Sequence, residues 1–227
     1  MRRSVWAAAI SLIALGATSA VAAAQSCRGT APFGRATGSD YGFEAALVFP
    51  EEGTGIYGAF KWAPSLNLAL NFDAQFVSDV GGGADVWVFG GDGAFRFVEG
   101  NPQQFPLDVC FLTGFRFFVF SDLGADEDLN GFLIPIGVTL GNDFPLGQSS
   151  VRIAPYFSPV FTIQRASFES GTFEVTETEG LFHVDFGASF IFAGGWYAGI
   201  GLSLGDGDRA TTGDTEIRLR AGWLLGR

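Results

Sequence analysis

The sequence predicts an all-β chain that closes into an antiparallel, up-and-down transmembrane β-barrel of about ten strands, eight being the alternative count. Three observations predict it. Segment after segment alternates apolar and polar residues with period two, the spacing at which a strand sends successive side chains to opposite faces. One face of nearly every segment is aromatic or aliphatic, while the other carries charges, amides and glycines, a poor filling for an oily core. Beyond the first residues, no stretch is apolar for long enough to span a bilayer as a helix. A soluble sandwich shares the alternation, and the repetition of a greasy face opposite a polar one is what selects the barrel.

The 227 residues suit one domain, and 25 Phe beside 33 Gly is an unusual pairing for a soluble enzyme. Residues 1–24 open with Arg2 and Arg3, run through an apolar core from Val5 to Gly16, and end in Ala22, Ala23 and Ala24. This is the pattern of a secretory signal peptide cleaved before Gln25. Residues 25–40, with Gly29, Pro32, Gly34 and Gly38, form an irregular periplasmic leader, and 41–227 the barrel. The formal charge of −11 includes the two leading arginines, so the mature chain is more acidic still, which argues against a nucleic-acid partner.

Taken in order, Tyr41 to Phe49 places Tyr41, Phe43, Leu47 and Phe49 against Glu44, and Ile56 to Trp62 places Ile56, Phe60 and Trp62 against Tyr57 and Lys61. Leu66 to Phe76 sets leucines and phenylalanines opposite Asn67, Asn71, Asp73 and Gln75. In Ala84 to Val98, Trp87, Phe89, Phe95 and Phe97 oppose Asp92 and Arg96, and Gly90, Gly91 and Gly93 predict a bend or bulge. Leu107 to Phe120 opposes Val109, Phe111, Phe115 and Phe117 to Asp108, Cys110 and Arg116, and Phe132 to Leu140 follows an acidic loop at 121–130. Val151 to Gln164 carries Arg152 on its polar face, and Pro155 and Pro159 predict a distorted strand because each lacks a ladder donor. Arg165 to Gly180 is expected to be the longest connection, although Phe173 and Val175 suggest strands that continue past the membrane. The hairpin from Leu181 to Leu204 has the clearest alternation, turning at Gly194 and Gly195 and carrying His183 and Asp185 on its polar face. The last strand, Glu216 to Leu225, opposes Ile217, Leu219 and Trp223 to Glu216, Arg218 and Arg220.

An even count with short turns at one end and longer acidic loops at the other puts both termini on the periplasmic side. The inward charges are then Glu44, Lys61, Asp73, Asp92, Arg96, Asp108, Arg116, Arg152, Asp185, Glu216, Arg218 and Arg220. Their signs nearly balance, which predicts a lumen charge network of mutual pairs, with a narrow polar conduit as the alternative. Cys27 and Cys110 fall at the same end and predict a disulfide that pins the leader across the bottom of the lumen.

From the signal peptide, the aromatic strands and the acidic loops, the chain resembles the small outer-membrane β-barrel proteins of Gram-negative bacteria, the class of the OmpA-type membrane domain and OmpX-like proteins. It departs from them in ending Trp223-Leu224-Leu225-Gly226-Arg227 rather than in an aromatic residue. The resemblance implies a monomer in the outer membrane, surrounded by lipid and lipopolysaccharide and delivered by the barrel assembly machinery, with an envelope-structural or surface-interaction role and no cofactor or metal. The alternatives are a narrow pore for small solutes and a surface hydrolase: His183 and Asp185, two apart on one face, resemble part of the His/Asp site of the omptin proteases, with Asp73 and Asp122 as candidate acidic partners. A calcium surface built from Asp126, Glu127 and Asp128, or from Asp206 and Asp208, is a further reading, but the spacing matches no EF-hand loop.

Overall fold

The computed structural model describes residues 40–65, 67–80, 83–101, 103–121, 123, 127–142, 144–147, 149–206 and 215–225. The expected signal peptide, Cys27, Asp122, Asp126 and Asp208 lie outside them. The strands are β1 (Asp40–Pro50), β2 (Thr54–Ser65), β3 (Leu68–Val80), β4 (Ala84–Val98), β5 (Asp108–Ser121), β6 (Glu127–Gly141), β7 (Phe144–Pro145), β8 (Arg152–Ser170), β9 (Phe173–Ile191), β10 (Trp196–Asp206) and β11 (Thr215–Leu225). Each pairs antiparallel with its neighbour, β6 joins β8, and β1 joins β11, so ten strands close a ring. β7 is a two-residue spur on the foot of β8. Closure leaves no open sheet edge in the barrel wall, the condition for a sheet to sit in hydrocarbon.

The registers fix the shape of the barrel. From Gly180 on β9 the Cα partners run through Ile163 and Ile134, then in unchanged register to Phe115, Gly91, Phe72, Phe60, Phe43, Trp223 and Trp196. Trp196 accepts the backbone hydrogen bond of Phe192, so one circuit returns to β9 twelve residues from its start, between Gly180 and Phe192. With strands ~4.8 Å apart and ~3.3 Å per residue, that stagger tilts the strands about 40° from the barrel axis. The circuit is also an outward row rich in aromatic rings. Phe43 and Phe60 lie 5.4 Å apart, Phe60 and Phe72 6.5 Å, and Trp196 stacks on Trp223 at 5.1 Å.

Burial alternates as the sequence predicts. Phe43 is 53% exposed and its neighbour Glu44 5%; Phe72 is 52% exposed and Asp73 8%. Here the apolar residues face outward and the charged ones inward, the reverse of a soluble protein, and lipid is the solvent that suits the outward face.

Four expectations are corrected. β4 runs unbroken through Gly90, Gly91 and Gly93; the register shifts instead between Arg96 and Val98 and, on β3, between Val77 and Val80. Those glycines mark close approach rather than a bulge. β8 keeps one register with β9 past both prolines. On its other side, Pro155 lies beyond the last β6 pair, Gly141 with Tyr156, and only at Pro159 does the β6 ladder skip two rungs. There Thr139 and Ser158 share a 2.5 Å side-chain hydrogen bond across the gap. The connection expected at 165–180 is paired strand almost throughout, since β8 reaches Ser170, β9 starts at Phe173 and only Gly171 and Thr172 turn the chain. β6 likewise begins at Glu127, shortening the loop expected at 121–130.

The inner face is not polar along its whole height. Toward the loop end, Val77, Ala84, Val86, Val88, Phe118, Phe120 and Leu133 pack into an inward apolar cluster, with Leu123, Leu129 and Ala166 against it. At the opposite end Ala154, Ile191, Tyr197 and Leu224 form a second cluster. The charged layer lies between these two caps.

Candidate functional site: a packed polar lumen

The inward charges gather in small knots, two of them built by a long side chain that crosses a glycine to reach its partner. Arg116 on β5, Gly90 on β4 and Asp73 on β3 are Cα partners in one row. Gly90 has no side chain to block the crossing; a Cβ there would stand 2.7 Å from Arg116 Cγ. Arg116 therefore lies across β4 and donates to both oxygens of Asp73, at 3.1 and 2.9 Å, and to Asp92 at 2.7 Å. Asn71 donates to Asp73 at 2.7 Å and to the Tyr57 hydroxyl at 3.3 Å. A charge shared among fixed donors and acceptors in this way is the form in which ions survive away from water.

The second knot repeats the device across the junction of the first and last strands. Glu44 on β1, Gly222 on β11 and Tyr197 on β10 form a row, and the Tyr197 ring occupies the space a Cβ on Gly222 would need. The Tyr197 hydroxyl donates to Glu44 at 2.9 Å, and Lys61 donates to Glu44 at 2.5 Å and to the Tyr197 oxygen at 3.2 Å. Lys61 is fully buried. A third knot joins Arg218 to Glu216 at 2.5 Å and to Gln75 at 3.2 Å, while the guanidinium stacks 4.5 Å over the Tyr57 ring. Tyr57 thus links the first and third knots. At the terminal end Arg96 bonds Asn67 at 3.1 Å and lies 3.6 Å from Asp108, whose other oxygen accepts from the Gly100 amide at 2.7 Å.

Of the twelve inward charges, ten thus fall in or beside these four knots, Arg220 standing over the Tyr156 ring at 4.9 Å. The remaining two, Arg152 and Asp185, face the lumen partly exposed. Arg152 lines a half-open cavity of about 410 Å³ at the terminal end, with Ile191, Phe192, Trp223 and Leu224. Cys110 is wholly buried and inward near the foot of β5.

His183 and Asp185 do come together, Nε2 to Oδ2 at 3.7 Å. His183 does not stand at a rim, as a surface hydrolase would need: β9 continues ten residues beyond it to Phe173, and His183 is 6% exposed within the wall opposite Val160. Asp73, offered as its acidic partner, is instead engaged by Arg116. Among the described residues no three or more His, Cys, Asp or Glu side chains gather as a metal site would require.

The apolar caps and the crossing tyrosines are what sequence reasoning missed. Tyr57, Tyr156 and Tyr197 share parity with the charges, and each lies within reach of a glycine or an arginine on a neighbouring strand, a signal that only the register makes visible.

No protein-family model matches the chain, and no curated protein matches it in sequence. Solved structures do. The N-terminal β-barrel domain of Pseudomonas aeruginosa OprF aligns over 82% of this chain and 97% of its own, at 13% identity and a TM-score of 0.41. Neisserial surface protein A aligns over 84% and 98%, at 17% and 0.40, and the translocator domain of the autotransporter NalP from Neisseria meningitidis over 83% and 89%, at 15% and 0.48. The chain is similar to these barrels in its antiparallel closed sheet.

Proposed function

We propose that the protein is an outer-membrane barrel closed to through-passage, working by its outer surfaces as an envelope-structural or surface-interaction protein and catalysing no reaction. The observation that carries this reading is the filled lumen. Ionic knots from β1, β2, β3, β5 and β11 meet inside it, and an apolar cap lies toward each end. A conducting pore needs a continuous wet column past charges free to hand an ion on, whereas Lys61, Leu112, Phe118, Thr139, Ser158 and Val160 are all closed to water. The buried His183 gives a substrate at the rim no approach to Nε2, which favours the non-enzymatic reading.

The outward surfaces are of two kinds. The aromatic and aliphatic band meets lipid, and above it β8 and β9 extend as an arm whose exposed residues include Arg165, Glu169, Phe173, Glu174, Thr176, Glu177, Thr178 and Glu179. With that arm outside the cell, the even number of strands in the ring leaves both termini periplasmic. The barrel is a monomer, without cofactor or metal, that contacts lipid and lipopolysaccharide and is inserted by the barrel assembly machinery. A bridge between Cys27 and Cys110 would tether the leader beneath the lumen. The decisive test is conductance: the purified barrel in a planar bilayer is expected to show no unitary steps, and reproducible ion-selective steps would overturn the reading.

A further inference from the structure

We infer that the arm carries a docking edge for an extended protein segment, basic on one face and apolar on the other, which adds as a further strand beside β9. This deepens the surface-interaction reading and rests on it. β10 leaves β9 at Asp206, opposite Phe182, whereas β8 stays paired with β9 all the way to Phe173. Above Phe182, β9 therefore has a neighbour on one side and, among the described residues, no strand on the other. An unpaired edge is a template for another chain, and main-chain hydrogen bonds supply the affinity.

The register tells which groups are open. Phe192 donates its amide to the Trp196 carbonyl across the turn between β9 and β10. Successive residues of a strand aim their amides and carbonyls at alternate edges, and β9 keeps one register with β8 over its whole length. The even-numbered residues of β9 are thus the ones that face the β10 side. Beyond the end of β10, Glu174, Thr176 and Thr178 turn their backbone groups to the open edge, and all three residues are exposed.

The side chains select the occupant. Asp128 on β6, Glu169 on β8 and Glu174 on β9 are Cα partners in one row, and like charges set directly opposite one another repel. A lysine or arginine on an incoming strand takes the next place in that row and relieves the repulsion. The other face of the arm carries the row Leu129, Phe168 and Val175, with Phe173 beyond it 62% exposed, so the alternate residues of the newcomer meet apolar side chains. Lower on that face Glu177 and Glu179 extend the acidic surface, and Arg165 is the one basic residue in 165–179. A second copy of this edge is a poor occupant, because it sets Glu174, Glu177 and Glu179 against the same three side chains.

The test is fluorescence anisotropy of a labelled peptide of alternating lysine and valine, titrated with the folded barrel in a neutral detergent, against a peptide of alternating glutamate and valine of equal length. Saturable binding of the lysine peptide alone is expected. Thr176→Pro keeps every charge, breaks no bond to β8 and removes an amide from the open edge; it is expected to weaken binding about tenfold, the size of one lost backbone hydrogen bond. If that variant does not fold, replacing Glu174, Glu177 and Glu179 by glutamine leaves the backbone unchanged, and a loss of about the same size is expected from the missing charges. No saturable binding, equal binding of the glutamate peptide, or undiminished affinity in a folded variant would overturn the proposal, as would sedimentation of the unaltered barrel as a dimer that the lysine peptide does not dissociate. Conductance of the same preparation reads the sealed lumen separately, so the two readings fail independently.

Discussion

Asp73 and Asp92 share one guanidinium, and what they would do without it measures the knot. In Arg116→Met two buried carboxylates lose their cation, and breaking a buried pair in this way costs about 3–5 kcal/mol. Urea unfolding followed by tryptophan fluorescence in lipid vesicles is expected to show a correspondingly lower midpoint, with part of the loss recovered when Asp73→Asn is added. Gly90→Val acts through space instead of charge, because its side chain must occupy the path that Arg116 takes across β4. Overpacking of this kind costs about 1–3 kcal/mol, and the same unfolding assay checks it. Buried charges such as Glu44, Asp73 and Arg96 lie on the parity that period two marks as inward. The identity of each partner is not legible there, since a pairing such as Arg116 with Asp73 depends on the register of three strands, and register is set by turns and bulges whose positions the alternation does not reveal.

The arm of β8 and β9 shows why some elements escape a sequence reading. Within the membrane a strand has lipid on one side and the lumen on the other, and the contrast writes itself into alternate residues. Past the membrane both sides meet water, and Glu174, Thr176, Glu177 and Thr178 carry no contrast at all. The reverse loss occurs along Phe117, Phe118, Val119 and Phe120, where the apolar cap lies behind a lipid-facing strand and both faces are greasy. If the arm stands clear of the bilayer, replacing residues 167–176 with a two-residue Asn-Gly turn leaves a barrel that still folds. Its gel mobility without boiling should remain that of a compact, heat-modifiable species; a chain that migrates as unfolded would show that the arm is part of the barrel's own stability. Leu129 and Ala166, packed against the cap, are where the cut stops being free.

At the scale of the whole molecule, the sealed lumen and the leader are tested together. Non-reducing peptide mapping of the mature protein is expected to find a Cys27–Cys110 linked peptide, and two alkylatable thiols would remove the tether while leaving the barrel unaffected. The two principal knots also differ in how far apart along the chain their members lie. Arg116 finds its carboxylates 43 and 24 residues away, within the first half of the ring, whereas Tyr197 reaches Glu44 across 153 residues and Lys61 across 136. A nascent chain halted before Thr215 already owns the acid and the amine but has no final strand to carry the phenol to them. The last hairpin therefore serves as a clasp, and whether it has fastened is reported by a single oxygen of Tyr197, so that Tyr197→Phe should insert at a normal rate and reopen sooner.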